Sequence, residues 1–412
     1  MTQLTWKFGF ADPNMLSKLN TDGWLIENEH KDLADDYAEA VIRHLKYKLT
    51  YREPSSKNKS LKKTEINCLK DLLRAVLDVT DLWNIDDFSD EAKYKLKLLI
   101  RGHYLELEEE KWFNDYLNNP TRVYSQLNTK YKREHAHILI NKLFDYATWW
   151  EMCNKWRSEL IIATEILICP YCDRQYITSF FNFSNKKGKL KKTTATIDHF
   201  FHQGKYPLFS LSLFNFIPSC HACNSLFKGT NELKTYLYYP DIEKLTHFTL
   251  VPLSGKSLDT VDIIIQKNDV DFDIIQHAFY KDDEEKKLLL KRHKSEFVND
   301  INNDIKVLQL NEVYEIHKEY VKDLLEIRRF YENSEYRYYV TNVLNETIYE
   351  DSPLKYPVTI DMLRLFLVGG DWMNLTTNSA PRDHKRPLAD LTNAILKDDY
   401  WILFNSDIEG EE

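Results

Sequence analysis

Apolar positions recur along this chain at helical spacing, except in one central region where the period changes. Residues 30–50 (HKDLADDYAEAVIRHLKYKLT) carry the helical repeat, as do 66–82 and 91–109. Residues 51–64 are polar, contain a proline and several lysines, and read as a linker. Residues 135–168 have a strongly apolar helical face that delivers the chain to Cys169. Then the pattern shifts. Residues 176–183 (YITSFFNF) are aromatic and β-branched and predict a strand, 185–188 a turn, and 193–201 (TTATIDHFF) a second strand. Residues 205–218 read as a loop, and 221–228 as a short helix ended by a left-handed Gly229. Further on, 258–276 alternate as one or two strands, 281–335 form long charged amphipathic helices, and 358–368 another helix before a frayed acidic tail.

The expected fold class is therefore α+β, mostly α-helical with an embedded strand–strand–helix module. The segments divide as a helical N-terminal domain over 1–164, the module over 165–235, and a mainly helical C-terminal domain with a few short strands over 236–412. Composition supports this. Ten Gly and twelve Pro are few for 412 residues, which favours long helices over a turn-rich all-β fold.

Charge narrows the function classes. A net charge of −9 excludes a chain that attracts nucleic acid over its whole surface. Locally the balance reverses: residues 165–232 carry eight Lys or Arg against four Asp or Glu. Lys186, Lys187, Lys189, Lys191 and Lys192 cluster in the predicted hairpin turn, where they can meet a phosphate backbone, and Lys205 joins them as a nucleic-acid-binding candidate. No run of 18 apolar residues occurs and the first residues lack a signal-peptide pattern, so a soluble, cytoplasmic protein without membrane contact is expected. In that compartment cysteines are not expected as disulfides. Cys68 and Cys153 fall within helical patterns and read as small core residues.

The other four cysteines come in pairs. Cys169 and Cys172 flank Pro-Tyr, Cys220 and Cys223 flank His-Ala, and the second pair begins 51 positions after the first. One such pair could be a redox motif. Two pairs can close a tetrahedral four-thiolate site, so structural Zn2+ is expected, compensating a module too small to hold much core. Between the pairs stand Asp198 and His199. Phosphodiester hydrolysis needs a deprotonated water, a neutralised phosphate and a stabilised leaving oxygen. Asp198 is a hard oxygen ligand suited to Mg2+ or Mn2+, and the amide oxygen of Asn224 is a second. Neutral His199 suits a general base. Asn215 is placed to hold the imidazole or the loop, and Lys228, four residues after Asn224, to grip a substrate phosphate. On a strand, 198 and 199 point to opposite faces, so a bend is needed for both to serve one site. A second Asp-His pair, Asp383 and His384, has no cysteine frame and reads as surface.

The order CPYC, DH, Asn, CxxCN, with Lys four positions on, resembles the HNH endonuclease family, the ββα-metal fold, over residues 169–230. The resemblance implies that His199 is the general base, that Asp198 and Asn224 hold the catalytic metal, and that Asn215 is the middle motif residue. The third motif position is Asn rather than His, a variant also found in the HNH domains of CRISPR effectors, and it favours magnesium. His202 stands where many members have proline, and reads as loop filler. HNH modules in largely helical chains often serve bacterial anti-phage defence. Some, such as the nuclease subunit of Septu-type systems, act beside an ATPase. Double-stranded DNA as substrate, an ATPase partner and a homodimer for cutting both strands are thus implied. Two alternatives stand beside this one: an RNA-cleaving nuclease, and a catalytically inactive zinc-clamped adaptor that binds nucleic acid or protein.

Overall fold

A computed structural model of the chain describes residues 33–50, 61–102, 107–120, 133–152, 160–161, 166–181, 190–237, 246–252, 263–269, 294–332, and short pieces between 387 and 402. The predicted turn at 185–188, Cys153, the helix at 358–368, the Asp383-His384 pair and the acidic tail lie outside the described residues.

The described chain is mostly helical, with four small sheets. It divides into two compact units: residues 4–166 with 177–238, and residues 167–176 with 239–412. This division by compactness differs from the three consecutive segments read from the sequence. The strand-rich part shares its unit with the N-terminal helices, and the first cysteine pair is grouped with the C-terminal part.

In the first unit, helix α1 (Leu33–Leu49) buries Leu33, Tyr37, Val41, Leu45 and Leu49, one every four residues, so its inner face is one continuous stripe. Helix α2 (Lys63–Leu77) begins where the Lys62 backbone N–H donates to the Glu65 carboxylate at 2.9 Å. It buries Cys68, as expected of a small core residue. Strands β1 (Trp83–Asn84) and β2 (Asp87–Phe88) form a tight hairpin, and Ile85 in its turn has φ 40° and is 96% exposed. Helix α3 (Asp90–Arg101) starts at Ser89, whose hydroxyl accepts the Ala92 N–H. Helices α4 (Lys111–Asn118), α5 (Arg133–Leu143) and α6 (Tyr146–Met152) complete the helical layer.

This layer packs directly on the strand-rich part. Phe113 of α4 stacks at 5.1 Å on Phe209, and the Tyr37 hydroxyl donates to the Leu211 carbonyl. Strand β3 (Ser179–Phe181) pairs antiparallel with β4 (Leu190–Thr193), and β5 (Thr196–His199) with β6 (Phe216–Ser219). Two expectations are corrected here. The predicted second strand is two strands with different partners, parted at Thr194-Ala195. The predicted loop 205–218 contains two 3-10 turns and the start of β6, the true partner of β5. After β6 the chain enters a π-helix, Ala222–Lys228, which ends at Gly229 with φ 52° and ψ −118°. The predicted positive φ is present, but the residue is not in the left-handed helical region.

In the second unit, β7 (Thr246–Pro252) pairs antiparallel with β8 (Ile263–Asp269) and parallel with β9 (Tyr400–Ile402). Helices α7 (Lys294–Val307), α8 (Leu310–Glu315) and α9 (Lys318–Glu332) follow the sheet, as their amphipathic pattern predicts. Asn311 and Glu315 of α8 accept the backbone N–H groups of Lys267 and Ile265. Tyr314 donates to the Cys172 carbonyl at 2.8 Å, and the Arg174 guanidinium to His317.

Candidate metal centre

Cys169, Cys172, Cys220 and Cys223 are all buried, and their sulfurs lie within 4.8 Å of one another. Each pair folds as a tight turn. The Asp173 N–H donates to the Cys169 carbonyl with Asp173 at φ 49°, and the Cys223 N–H points at the Cys220 sulfur at 3.4 Å. Four thiolates in this arrangement could hold one zinc ion, as the spacing predicts.

Asp198 and His199 end β5, and the ladder to β6 continues through both, with Asp198 opposite Ile217 and His199 opposite Phe216. No bend brings the two side chains to one face. Thr196 and Asp198 share the side that meets the π-helix: the Asn224 amide NH2 donates to the Thr196 hydroxyl at 3.0 Å, and the Lys228 ammonium to Asp198 Oδ1 at 2.7 Å. His199 meets the aromatic core. Its ring lies 4.5 Å from that of Tyr146 and 5.4 Å from that of Phe216.

His199 Nε2 is 3.1 Å from the Ser210 carbonyl. A carbonyl only accepts, so Nε2 carries the proton and Nδ1 keeps its lone pair. Burial pushes the imidazole down to about 4, and the positive charges of Lys228 and His202 act in the same direction, against the Ser210 hydrogen bond. The ring is therefore neutral near neutral pH.

Asn215 holds the loop, not the imidazole. Fully buried, it donates from Nδ2 to the Phe201 and Phe209 carbonyls, both at 3.1 Å, and accepts the Phe201 N–H at Oδ1. Its own carbonyl accepts the Phe200 N–H. These bonds fix the segment that carries Ser210, and so fix His199 at one remove.

Lys228 departs most from expectation. It shares a helix face with Asn224 as predicted, but it is 1% exposed and donates to Asp198 and to the His199 carbonyl at 2.9 Å. Its charge is used inside the fold and does not face a ligand. Lys205 is exposed and paired with Glu232 at 3.0 Å. Lys191 and Lys192 lie on β4, while Lys186, Lys187 and Lys189 lie outside the described residues. His202 shapes its own turn, accepting the Gly204 N–H at Nδ1. The sequence gives no signal for Ser210 at all, because it acts through its backbone.

A carboxylate and an amide oxygen are donor types that a hard divalent cation takes. Asp198 already binds one cationic group, the Lys228 ammonium, so a metal ion here shares that carboxylate or displaces the lysine. Asn224 offers its amide oxygen from the first turn after Cys223. Among the described residues no helix is long and apolar enough to cross a membrane. Comparison with known proteins found no matching family model, no matching curated protein and no matching solved structure.

Proposed function

We propose that this chain is a metal-dependent endonuclease of the HNH type that hydrolyses DNA phosphodiester bonds, with double-stranded DNA as substrate and anti-phage defence as its setting. One observation carries the reading. A neutral His199, its Nε2 proton held by the Ser210 carbonyl, sits beside Asp198 on a strand covered by the helix that bears Asn224. Chance occurrence of an Asp-His pair does not require a tautomer-fixed imidazole.

In this reading the end of β5 bends on substrate binding to bring His199, which here faces the aromatic core, to the Asp198 side; His199 Nδ1 then accepts a proton from water, and the resulting hydroxide attacks phosphorus as the bond to the 3′ oxygen breaks. Products carry 5′-phosphate and 3′-hydroxyl ends. Asp198 and Asn224 would hold a magnesium or manganese ion, which would supply positive charge against the phosphate and the departing oxygen. Asn215 keeps the Ser210 carbonyl, and hence the base, in register. The four-cysteine zinc holds the frame and takes no part in the chemistry. An ATPase partner and a homodimer belong to the same proposal, as ways to gate cutting and to sever both strands.

The test is plasmid cleavage by zinc-loaded protein with magnesium or EDTA, wild type beside His199→Ala. Magnesium-dependent cutting that drops by at least about 100-fold in the variant supports the assignment, within the range for a lost general base. Undiminished cutting in the variant removes His199 from the mechanism. One observation favours a second reading, a zinc-clamped adaptor without catalysis: Lys228 already neutralises Asp198. Binding of DNA or RNA without cleavage of either, in magnesium, selects that reading. Cleavage of RNA alone selects an RNase.

A further inference from the structure

We infer that Thr196 is a positioning residue for the second metal ligand, setting which end of the Asn224 amide faces the metal. The inference rests on the metal-site reading of Asn224 above, and adds a residue with no place in the motif. Thr196 lies opposite Ser219 in the β5–β6 ladder, and its hydroxyl donates to the Ser219 carbonyl at 2.9 Å. The carbonyl cannot donate, so the hydroxyl proton is committed there. Thr196 Oγ1 is left as an acceptor only. The group 3.0 Å away on Asn224 must then be the NH2 end. Rotating the amide by half a turn would set two oxygens against each other. The chain Asn224 Nδ2–H to Thr196 Oγ1–H to the Ser219 carbonyl thus runs in one direction, and it turns Asn224 Oδ1 away from Thr196. Among the described residues no hydrogen bond engages that oxygen. It is the only atom of the amide that can ligate a hard cation.

This order matters because an amide, unlike a carboxylate, has one ligating end. Without Thr196 the Asn224 side chain loses the contact that holds its oxygen in the ligating direction. Residues that orient a ligand in this way typically contribute about 10–100-fold to metal affinity.

The experiment titrates MnCl2 into zinc-loaded full-length protein and follows free Mn2+ by electron paramagnetic resonance, so that no cleavage is needed. Thr196→Val keeps the shape and removes the hydroxyl. It is expected to weaken Mn2+ binding by about 10-fold or more, while Thr196→Ser, which keeps the hydroxyl, binds as wild type. The decisive arm is the Asn224→Asp background. A carboxylate has two equivalent oxygens, so Thr196→Val there is expected to change affinity less than about twofold, against the factor of 10 that orientation is worth. Zinc content and melting temperature are measured for every variant. Should Thr196→Val fail to fold alone, Thr196→Ala, which also removes the hydroxyl, replaces it in both backgrounds. Mn2+ affinity unchanged in Thr196→Val but reduced in Asn224→Ala overturns the positioning role and leaves the metal site standing. An equal loss from Thr196→Val in both backgrounds, or loss in Thr196→Ser as well, overturns it too. If neither Asp198→Ala nor Asn224→Ala alters Mn2+ binding, the metal-site reading fails and takes this inference with it.

Discussion

Replacing Lys228 by Met tests whether the Asp198–Lys228 pair is a structural element of the site. Methionine keeps most of the aliphatic stem and removes the charge. The two side chains are 2% and 5% exposed, and the ammonium donates to both Asp198 Oδ1 and the His199 carbonyl. An exposed ion pair is worth about 0–1 kcal/mol, whereas removing one partner of a buried pair leaves an uncompensated charge and costs about 3–5 kcal/mol. The burial here selects the second figure. The assay is urea unfolding of zinc-loaded protein followed by tryptophan fluorescence, which reports chiefly on the unit containing the pair, since seven of nine tryptophans fall within residues 4–166. Combining Lys228→Met with Asp198→Asn is expected to restore roughly 2 kcal/mol or more, because the orphaned charge is gone. Mn2+ should also stabilise Lys228→Met, by about 2.7 kcal/mol at 100 times that variant's dissociation constant, and wild type by less at the same concentration. A loss below about 1 kcal/mol, or the same loss in the Asp198→Asn background, would refute the reasoning.

Two further predictions concern the frame and the acid response. Cys220→Ser is expected to lower bound zinc, measured by plasma mass spectrometry, from one ion per chain to none, and to cost several kcal/mol of the roughly 10–16 kcal/mol a structural zinc can deliver. A variant that keeps wild-type stability without zinc would sink the clamp. His44 is buried against Trp149, and burial, aided by Lys48 and opposed by Asp145, lowers its pKa to about 4. The unfolded chain takes up that proton first, near pH 6.5, so stability is full above 6.5 and declines as pH falls toward 4, by at most about 3 kcal/mol. Urea midpoints at pH 7.5 and 4.5 should differ in that sense, and His44→Leu should flatten the difference.

The sequence revealed the helices well, because α1, α2 and α3 have a single buried stripe each and nothing competes with the period. It revealed the four cysteines for a different reason: their chemistry is carried by spacing. Strand β6 was hidden by Pro207 and Pro218, which read as loop. In the fold Pro218 sits opposite Ile197 in a two-stranded ladder, where a missing N–H is tolerated because both strands are edges. The break at Thr194-Ala195 was illegible because both sides of it are β-prone; only pairing with β3 or β6 distinguishes them. For Lys228 the spacing gave the correct face of the helix, but not what that face meets. Charge on a helix face is usually solvated, and here the fold sets a carboxylate against it.

The side chains of Asn311 and Glu315 have a meaning beyond packing. Strand β8 opens with three consecutive isoleucines and stands at the rim of its sheet, the composition and position from which unfolded or crowded chains recruit one another into fibrils. Each outward N–H at Ile265 and Lys267 that could begin such recruitment is instead satisfied by a residue one helical turn apart on α8. The helix thus acts as a gatekeeper, and these two N–H groups are offered to other molecules when α8 comes away.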